Sequence, residues 1–149
     1  MKLRYFAVFL IFGFTAAKAQ TNPFEFRKDH DAILVKDMDA SVKFYKEVLG
    51  LEEIPINGLP DYIRWFRLGD KVQIHLIESE DIPETIKGAH MSLSTAKLGE
   101  LMAFLETNSI PFENWPGEAN TTNTRPDGVK QIYLQDPDGY WIEINNNSL

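Results

Sequence analysis

Residues 30–50 read HDAILVKDMDASVKFYKEVLG, and this stretch predicts one strand followed by one helix. Apolar side chains alternate through its first six residues and then recur at three- and four-residue spacing up to a closing glycine. The stretch that starts at His90, 60 positions after His30, begins in the same way, and each histidine precedes a helix phenylalanine by 14 positions. We therefore interpret the chain as two copies of one module.

Each copy continues with further predicted strands, separated by glycine, proline, asparagine and aspartate turns. The strands expected after the helices are Leu51–Ile56, Tyr62–Leu68 and Val72–Glu78 in the first copy, and Ile110–Trp115, Val129–Leu134 and Tyr140–Ile144 in the second. The second copy begins with an expected strand at Ala89–Ser94, and the helix N-caps are expected at Asp39 and Thr95. The prediction is an α+β domain of two tandem β-α-β-β-β modules, residues 29–79 and 88–145.

Four polar side chains occupy matching places near the start and the end of the two modules: His30 and His75 in the first, His90 and Glu143 in the second. In each predicted strand the candidate points away from the more aliphatic face, which we expect to pack beneath the helices. If the opposite face curves, the four side chains converge in one cleft. Three imidazoles and one carboxylate suit a divalent ion such as zinc, nickel, cobalt, iron or manganese.

Three motifs carry a resemblance to a known family. Residues 29–38 (DHDAILVKDM), 41–51 (SVKFYKEVLGL) and 136–143 (DPDGYWIE) resemble the first strand, the first helix and the closing hairpin of the vicinal oxygen chelate superfamily, which includes glyoxalase I. The likeness extends over essentially all of residues 29–145. It implies two modules that form a curved, open barrel-like sheet around a metal cleft.

The resemblance also implies a ligand set and a chemistry. His30, His75, His90 and Glu143 fall on the family's four ligand positions, although glyoxalase I enzymes have glutamate, and epimerase relatives glutamine, where this chain has His75. A divalent ion there polarises a carbonyl and stabilises the enediolate that forms when the adjacent C–H loses its proton. Glu143 is the expected catalytic base, because it is the one carboxylate of the set. The expected activity is that of a metal-dependent, glyoxalase-like lyase or isomerase on a small oxygenated substrate.

Two other functions stay open at this level. A binding or resistance protein similar to the bleomycin-resistance relatives would hold a small molecule in the same cleft, and a dioxygenase would need open positions for oxygen. Arg125, Tyr62 and Arg64 are candidate substrate-binding residues, Arg125 because a guanidinium can clamp a carboxylate or phosphate. The modules can close on each other within one chain or across a homodimer, and the sequence leaves both arrangements open.

Charge and the first residues bear on partners and location. The net charge of -7 disfavours nucleic acid and anionic membranes as partners, and the chain has no cysteine for disulfides or thiolate ligands. Lys2 and Arg4, a short apolar run and Ala17-Lys18-Ala19 predict a signal peptide over residues 1–19, followed by a lead-in at 20–28. Because the apolar run is short for a bilayer, cleavage and a periplasmic or extracellular location are favoured over an uncleaved anchor.

Expression of the full chain in a bacterial host should yield an exported protein that begins at Gln20, because cleavage after Ala19 follows the small-x-small pattern. Mass spectrometry of the exported protein measures its first residue. A chain with leucine in place of both Ala17 and Ala19 is the control and should stay uncleaved. Mature protein that begins before Gln20 would contradict the prediction.

Overall fold

The computed structural model describes residues 23–148. In it, the first module is a mixed four-stranded sheet with one helix packed across it. Its strands are β1 (His30–Val35), β2 (Glu52–Glu53), β3 (Ile63–Leu68) and β4 (Val72–Glu78), in the spatial order β1-β4-β3-β2. β1 runs parallel to β4, and the other neighbours are antiparallel. The helix consists of an α-helical part, α1 (Met38–Lys43), and a π-helical continuation at Phe44–Val48.

The second module repeats this topology. Its strands are β5 (Met91–Ser94), β6 (Asn123–Thr124), β7 (Lys130–Gln135) and β8 (Trp141–Asn145), in the order β5-β8-β7-β6, and its helix is α2 (Leu98–Thr107). β5 runs parallel to β8, as β1 does to β4. The two predicted β-α-β-β-β modules are therefore confirmed.

The predicted single curved, barrel-like sheet is not what the described residues form. Their strands fall into two separate four-stranded sheets, and no backbone ladder joins one sheet to the other. The contacts between the modules are made by side chains and by turns instead. This difference matters for the site, because a continuous curved sheet was the expected means of bringing four ligands together.

Local signals at the helix ends were partly misassigned. Asp37, not Asp39, caps α1: its side-chain oxygen accepts a hydrogen bond from the Ala40 N–H at 3.0 Å. Thr95 is not the N-cap of α2, which begins three residues later, although its hydroxyl oxygen accepts from the Lys97 N–H. The stop at Gly50 is confirmed, since its φ of +67° lies in the left-handed region that glycine adopts without strain.

One predicted strand is absent from the second sheet. Residues 110–115 pair only at Glu113, which bridges to Ala119 and to Tyr133. Pro111 offers no N–H to a ladder, and Phe112 is turned into the core. The edge position is taken by β6, which lies in the segment between the predicted strands Ile110–Trp115 and Val129–Leu134.

The hydrophobic core lies under the helices, on the face of each sheet that the alternation pattern predicted. One cluster of buried side chains belongs to each module, and three partly buried residues pack against both clusters: Phe44, Leu49 and Met91. The helix α2 faces the second cluster with Leu98 and Leu105, which are both buried there. The polar faces of both sheets are left for other contacts.

A buried polar contact joins the modules. Asp136, in the turn between β7 and β8, accepts hydrogen bonds from the N–H groups of Asp138 and Tyr140 and, at 3.0 Å, from the hydroxyl of Tyr45 in the first module. Asp138 accepts from the Ser41 hydroxyl in the same way. Burial raises the pKa of the Asp136 carboxyl, and these donors offset part of that rise.

The described residues contain no helix long and apolar enough to cross a membrane. The predicted signal peptide at 1–19 and the first residues of the predicted lead-in lie outside the described part of the chain.

Replacing Tyr45 with phenylalanine should lower the free energy of unfolding by about 1–3 kcal/mol, because a buried Asp136 oxygen loses its donor. Urea unfolding followed by circular dichroism measures the change. Tyr62→Phe is the matched control, since that side chain is 52% exposed, and it should stay within about 0.5 kcal/mol of the parent. Equal stabilities of the two variants would show that the Tyr45–Asp136 bond does not stabilise the module junction.

Candidate metal and substrate site

The first module brings two of the predicted ligands into contact. β1 and β4 are neighbours, and the rings of His30 and His75 stack with centroids 4.2 Å apart. Trp65, the residue of β3 opposite His75, stacks on the other side of that ring, also at 4.2 Å. The three rings form a column on the polar face of the first sheet.

Hydrogen bonds orient both imidazoles of this column. His30 Nδ1 lies 2.6 Å from a carboxylate oxygen of Asp29, and His75 Nε2 lies 2.8 Å from Oε1 of Gln73. Since these oxygens accept, the hydrogens sit on those two nitrogens, and His30 Nε2 and His75 Nδ1 keep their lone pairs. Burial, and then the nearby charge of His30, lower the pKa of His75. The neutral form that binds metals is favoured.

The second module brings the other two predicted ligands together. Glu143 lies on β8, an interior strand, and His90 directly precedes the neighbouring strand β5. His90 Nε2 is 3.2 Å from Oε2 of Glu143, and only 7% of the Glu143 side chain is exposed. This pair is the counterpart of the His30–His75 pair in the first module.

Glu143 is held by several donors besides His90. The hydroxyl of Tyr133 donates to Oε2 at 2.8 Å. The other oxygen, Oε1, accepts from the Asn145 amide at 2.7 Å, the Ser92 hydroxyl at 3.2 Å and the Arg125 guanidinium at 3.3 Å. The carboxylate is therefore fixed at both oxygens.

The same neighbours set the charge of Glu143. Burial alone would raise its pKa, but the hydrogen bonds from Tyr133, Asn145 and Ser92 and the charge of His90 outweigh burial, so the pKa lies below its ordinary value. The carboxylate is ionised at neutral pH. A low pKa also makes it a weaker proton acceptor, which bears on its predicted role as base.

The ring of His90 has a defined tautomer. Its Nδ1 lies 2.8 Å from the backbone oxygen of Lys87, which can only accept, so Nδ1 carries the hydrogen. In the neutral ring, Nε2 then directs a lone pair at Oε2 of Glu143. Two acceptors 3.2 Å apart need a proton or a cation between them.

The four predicted ligands do not meet within one chain. Among residues 23–148, no three histidine, cysteine, aspartate or glutamate side chains are grouped as a metal site. The sequence left open whether the modules close on each other within one chain or across a homodimer, and the described residues of one chain show two separate pairs. The physical reason is the division into two sheets, which leaves His30 and His75 on one and His90 and Glu143 with the other.

The three candidate substrate-binding residues are in different places. Arg125 lies beside Glu143 and also donates from Nε to Asp127 at 3.2 Å. Arg64 is opposite Leu76 in the β3–β4 ladder, on the other face from His75, and binds the backbone oxygens of Asp61 and Ile63. Tyr62 is exposed just before β3. Arg125 is the candidate that the structure brings to a predicted ligand.

Several residues around the two pairs were not selected from the sequence. Ser92, Tyr133 and Asn145 share the polar face with Glu143, and period-two alternation is the signal that would have found them. Lys87 carries no such signal. Its contact with His90 depends on the turn before β5, and its side chain reaches residues 26 to 28 positions away.

Comparison with known proteins connects this geometry to a family. A family model of the Glyoxalase/Bleomycin resistance protein/Dioxygenase superfamily matches residues 27–144. YwbC of Bacillus subtilis is 32% identical over 125 residues, which is 79% of this chain and 95% of that protein. Glyoxylase I 4 of Arabidopsis thaliana is 30% identical over 128 residues, which is 79% of this chain and 69% of that protein.

Solved structures show the same fold. A crystal structure of a glyoxalase family protein from Bacillus anthracis matches with a TM-score of 0.64 at 26% identity, and the match covers 83% of this chain and 96% of the other. Sequence and fold thus agree with the resemblance carried by the three motifs. The chain belongs to the Glyoxalase/Bleomycin resistance protein/Dioxygenase superfamily, also called the vicinal oxygen chelate superfamily, and its relatives are glyoxalase I-like.

Proposed function

We propose that this protein is a divalent-metal-dependent, glyoxalase-like lyase or isomerase that acts on a small oxygenated substrate. The observation that carries the proposal is the His90–Glu143 pair, in which Nε2 of the imidazole lies 3.2 Å from a carboxylate oxygen. The 30% identity to Glyoxylase I 4 supports the same reaction type.

The residues fit a divalent ion chemically. His30, His75 and His90 offer imidazole nitrogens, and Glu143 offers an ionised oxygen, which is a donor set for zinc, nickel, cobalt, iron or manganese. The lowered pKa of His75 keeps that ring neutral, and the lowered pKa of Glu143 keeps the carboxylate charged. His75 and Glu143 are thus favoured in the forms that metal binding requires.

A bound ion would polarise a substrate carbonyl and stabilise the negative charge that develops when the adjacent C–H is deprotonated. The protein's own part is to hold the ligands still. Oε1 of Glu143 accepts from three donors, so Oε2 is the oxygen that faces His90. This arrangement favours Glu143 as a fixed ligand over Glu143 as the mobile base that the motif suggests, and the proton that leaves the C–H would then pass to solvent water.

Arg125 places a positive charge beside Glu143. Its side chain is 31% exposed, and the guanidinium lies between Glu143 and Asp127. An exposed guanidinium beside the reacting groups suits a substrate that carries a carboxylate or another oxyanion. Arg125 is therefore the substrate-binding residue that we retain from the sequence candidates.

The two pairs of ligands lead us to propose a homodimer. Each module supplies two ligands on the polar face of its sheet, and the two sheets of one chain do not bring them together. A second copy with twofold symmetry would place the first module of one chain against the second module of the other, and would do so twice. Each dimer would then contain two complete ligand sets.

After reconstitution, the protein should bind about one divalent ion per chain. In deuterated water it should then catalyse exchange of the C–H hydrogen of α-hydroxycarbonyl compounds, because deprotonation next to a polarised carbonyl is reversible. Elemental analysis and proton NMR measure the two properties. Metal-stripped protein is the first control. A protein that binds no divalent ion after reconstitution would overturn the enzyme assignment and favour a small-molecule binding protein.

Glu143→Gln separates the two roles of that residue. We expect metal affinity to fall by more than about 100-fold, since loss of an outer-shell partner already costs about 10- to 100-fold. Glu100→Gln is the matched control, as this carboxylate is 74% exposed. Full metal retention with loss of exchange would instead identify Glu143 as the base.

Mixing two inactive variants tests the shared site. One chain carries His30→Ala and His75→Ala, and the other carries His90→Ala and Glu143→Gln. After subunit exchange, about a quarter of the sites should bind metal, because half of the dimers are mixed and each has one intact set. A site formed within one chain would give no recovery on mixing.

A further inference from the structure

Lys87 lies in the segment that connects the two modules, and its ammonium group is enclosed. Only 17% of the side chain is exposed. Its Nζ lies 2.6 Å from Oε1 of Glu113, 2.6 Å from the backbone oxygen of Asn114 and 3.1 Å from that of Trp115. An ammonium has three hydrogens, so every donor is used. The side chain has no freedom to turn toward another partner.

Aromatic rings complete this enclosure. Nζ lies 4.9 Å from the ring centroids of Tyr133 and Trp141, and 5.9 Å from that of Trp115. A partly desolvated ammonium at this range is attracted by the faces of the rings. Tyr133 lies on β7 and Trp141 on β8, the strand that also carries Glu143. Lys87 therefore fastens the connecting segment to those strands.

Lys87 also touches the supports of both ligands in the second module. Its backbone oxygen accepts from His90 Nδ1 at 2.8 Å. Its ammonium lies against the ring of Tyr133, whose hydroxyl donates to Oε2 of Glu143 at 2.8 Å. One residue is thus in contact with the group that orients the imidazole and with the group that orients the carboxylate.

We infer that Lys87 is the positioning residue of this half of the site: its anchored side chain holds its own backbone oxygen where it selects the Nδ1-protonated tautomer of His90 and aims Nε2 at Glu143. The inference rests on the proposed function, in which Nε2 of His90 binds the metal. A lysine that merely stabilised the connecting segment would leave the tautomer unchanged when replaced.

The first test uses metal-free protein and the three histidines of the chain. Nitrogen-15 NMR of their rings distinguishes protonated from unprotonated ring nitrogens, and Nδ1 of His90 is the nitrogen that decides. The parent should show His90 with Nδ1 protonated. Lys87→Met, which keeps the length of the side chain but removes its charge and donors, should populate a form of His90 that has no hydrogen on Nδ1.

The second test is the binding of zinc alone to the same variants. Lys87→Met should weaken zinc binding by about 10- to 100-fold, the usual cost of losing a residue that orients a ligand. Lys97→Met is the matched control, because that ammonium is 74% exposed and paired only with Glu100 at 3.6 Å. It should leave both the tautomer and the zinc affinity unchanged.

A second variant guards against loss of folding. If Lys87→Met does not fold, Glu113→Gln removes the charged partner of the ammonium while preserving shape, and the same two measurements decide. A folded variant with the parental state of His90 Nδ1 and parental zinc affinity overturns the inference, as does a parent whose His90 has no hydrogen on Nδ1. If the parent binds no zinc, the proposed function fails, but the tautomer measurement still tests Lys87.

Discussion

The carboxylate of Glu143 is withdrawn from water on an interior strand, and a charge in that position must be compensated by its neighbours. Tyr133, Asn145, Ser92 and Arg125 supply that compensation, together with His90. These residues come from three strands and the loop after β6. The register of the second sheet places Ser92 and Tyr133 opposite Glu143, so the sheet itself supplies part of this compensation.

The two modules have the same topology but different electrostatics. In the first, the imidazoles of His30 and His75 stack with Trp65, and burial and a like charge lower the pKa of His75. In the second, His90 faces an ionised carboxylate whose pKa its neighbours lower. A site built from both modules would therefore combine a pair of imidazoles with a pair made of one imidazole and one carboxylate. Any proton transfer in it would be asymmetric.

The division of the ligands has a simple structural cause. Parallel pairing of β1 with β4, and of β5 with β8, brings the two candidates of each module onto adjacent strands. The strands of each module thus hydrogen-bond to one another, whereas, among the described residues, no backbone hydrogen-bond ladder joins the two sheets. The Tyr45–Asp136 bond and the shared packing of Phe44, Leu49 and Met91 hold the modules beside each other.

The sequence by itself determined the modules, the strand faces and the family, because these depend on short-range patterns. Alternation over a few residues identifies which side chains leave the core, and Gly50 and the turn at Asp136 mark where elements end. It also selected His30, His75, His90 and Glu143. Where two neighbouring residues could both cap a helix, as Asp37 and Asp39 could, the prediction chose the wrong one.

Only the tertiary structure decided how those residues are grouped. The separation into two pairs, the tautomer of His90 and the enclosure of Lys87 all depend on distances between segments far apart in the chain. Such distances follow from which strand edges meet and from how buried charges find partners. The spacing of residues along the chain predicts neither the meeting of strand edges nor the partners of buried charges. Both depend on packing, to which many positions contribute at once.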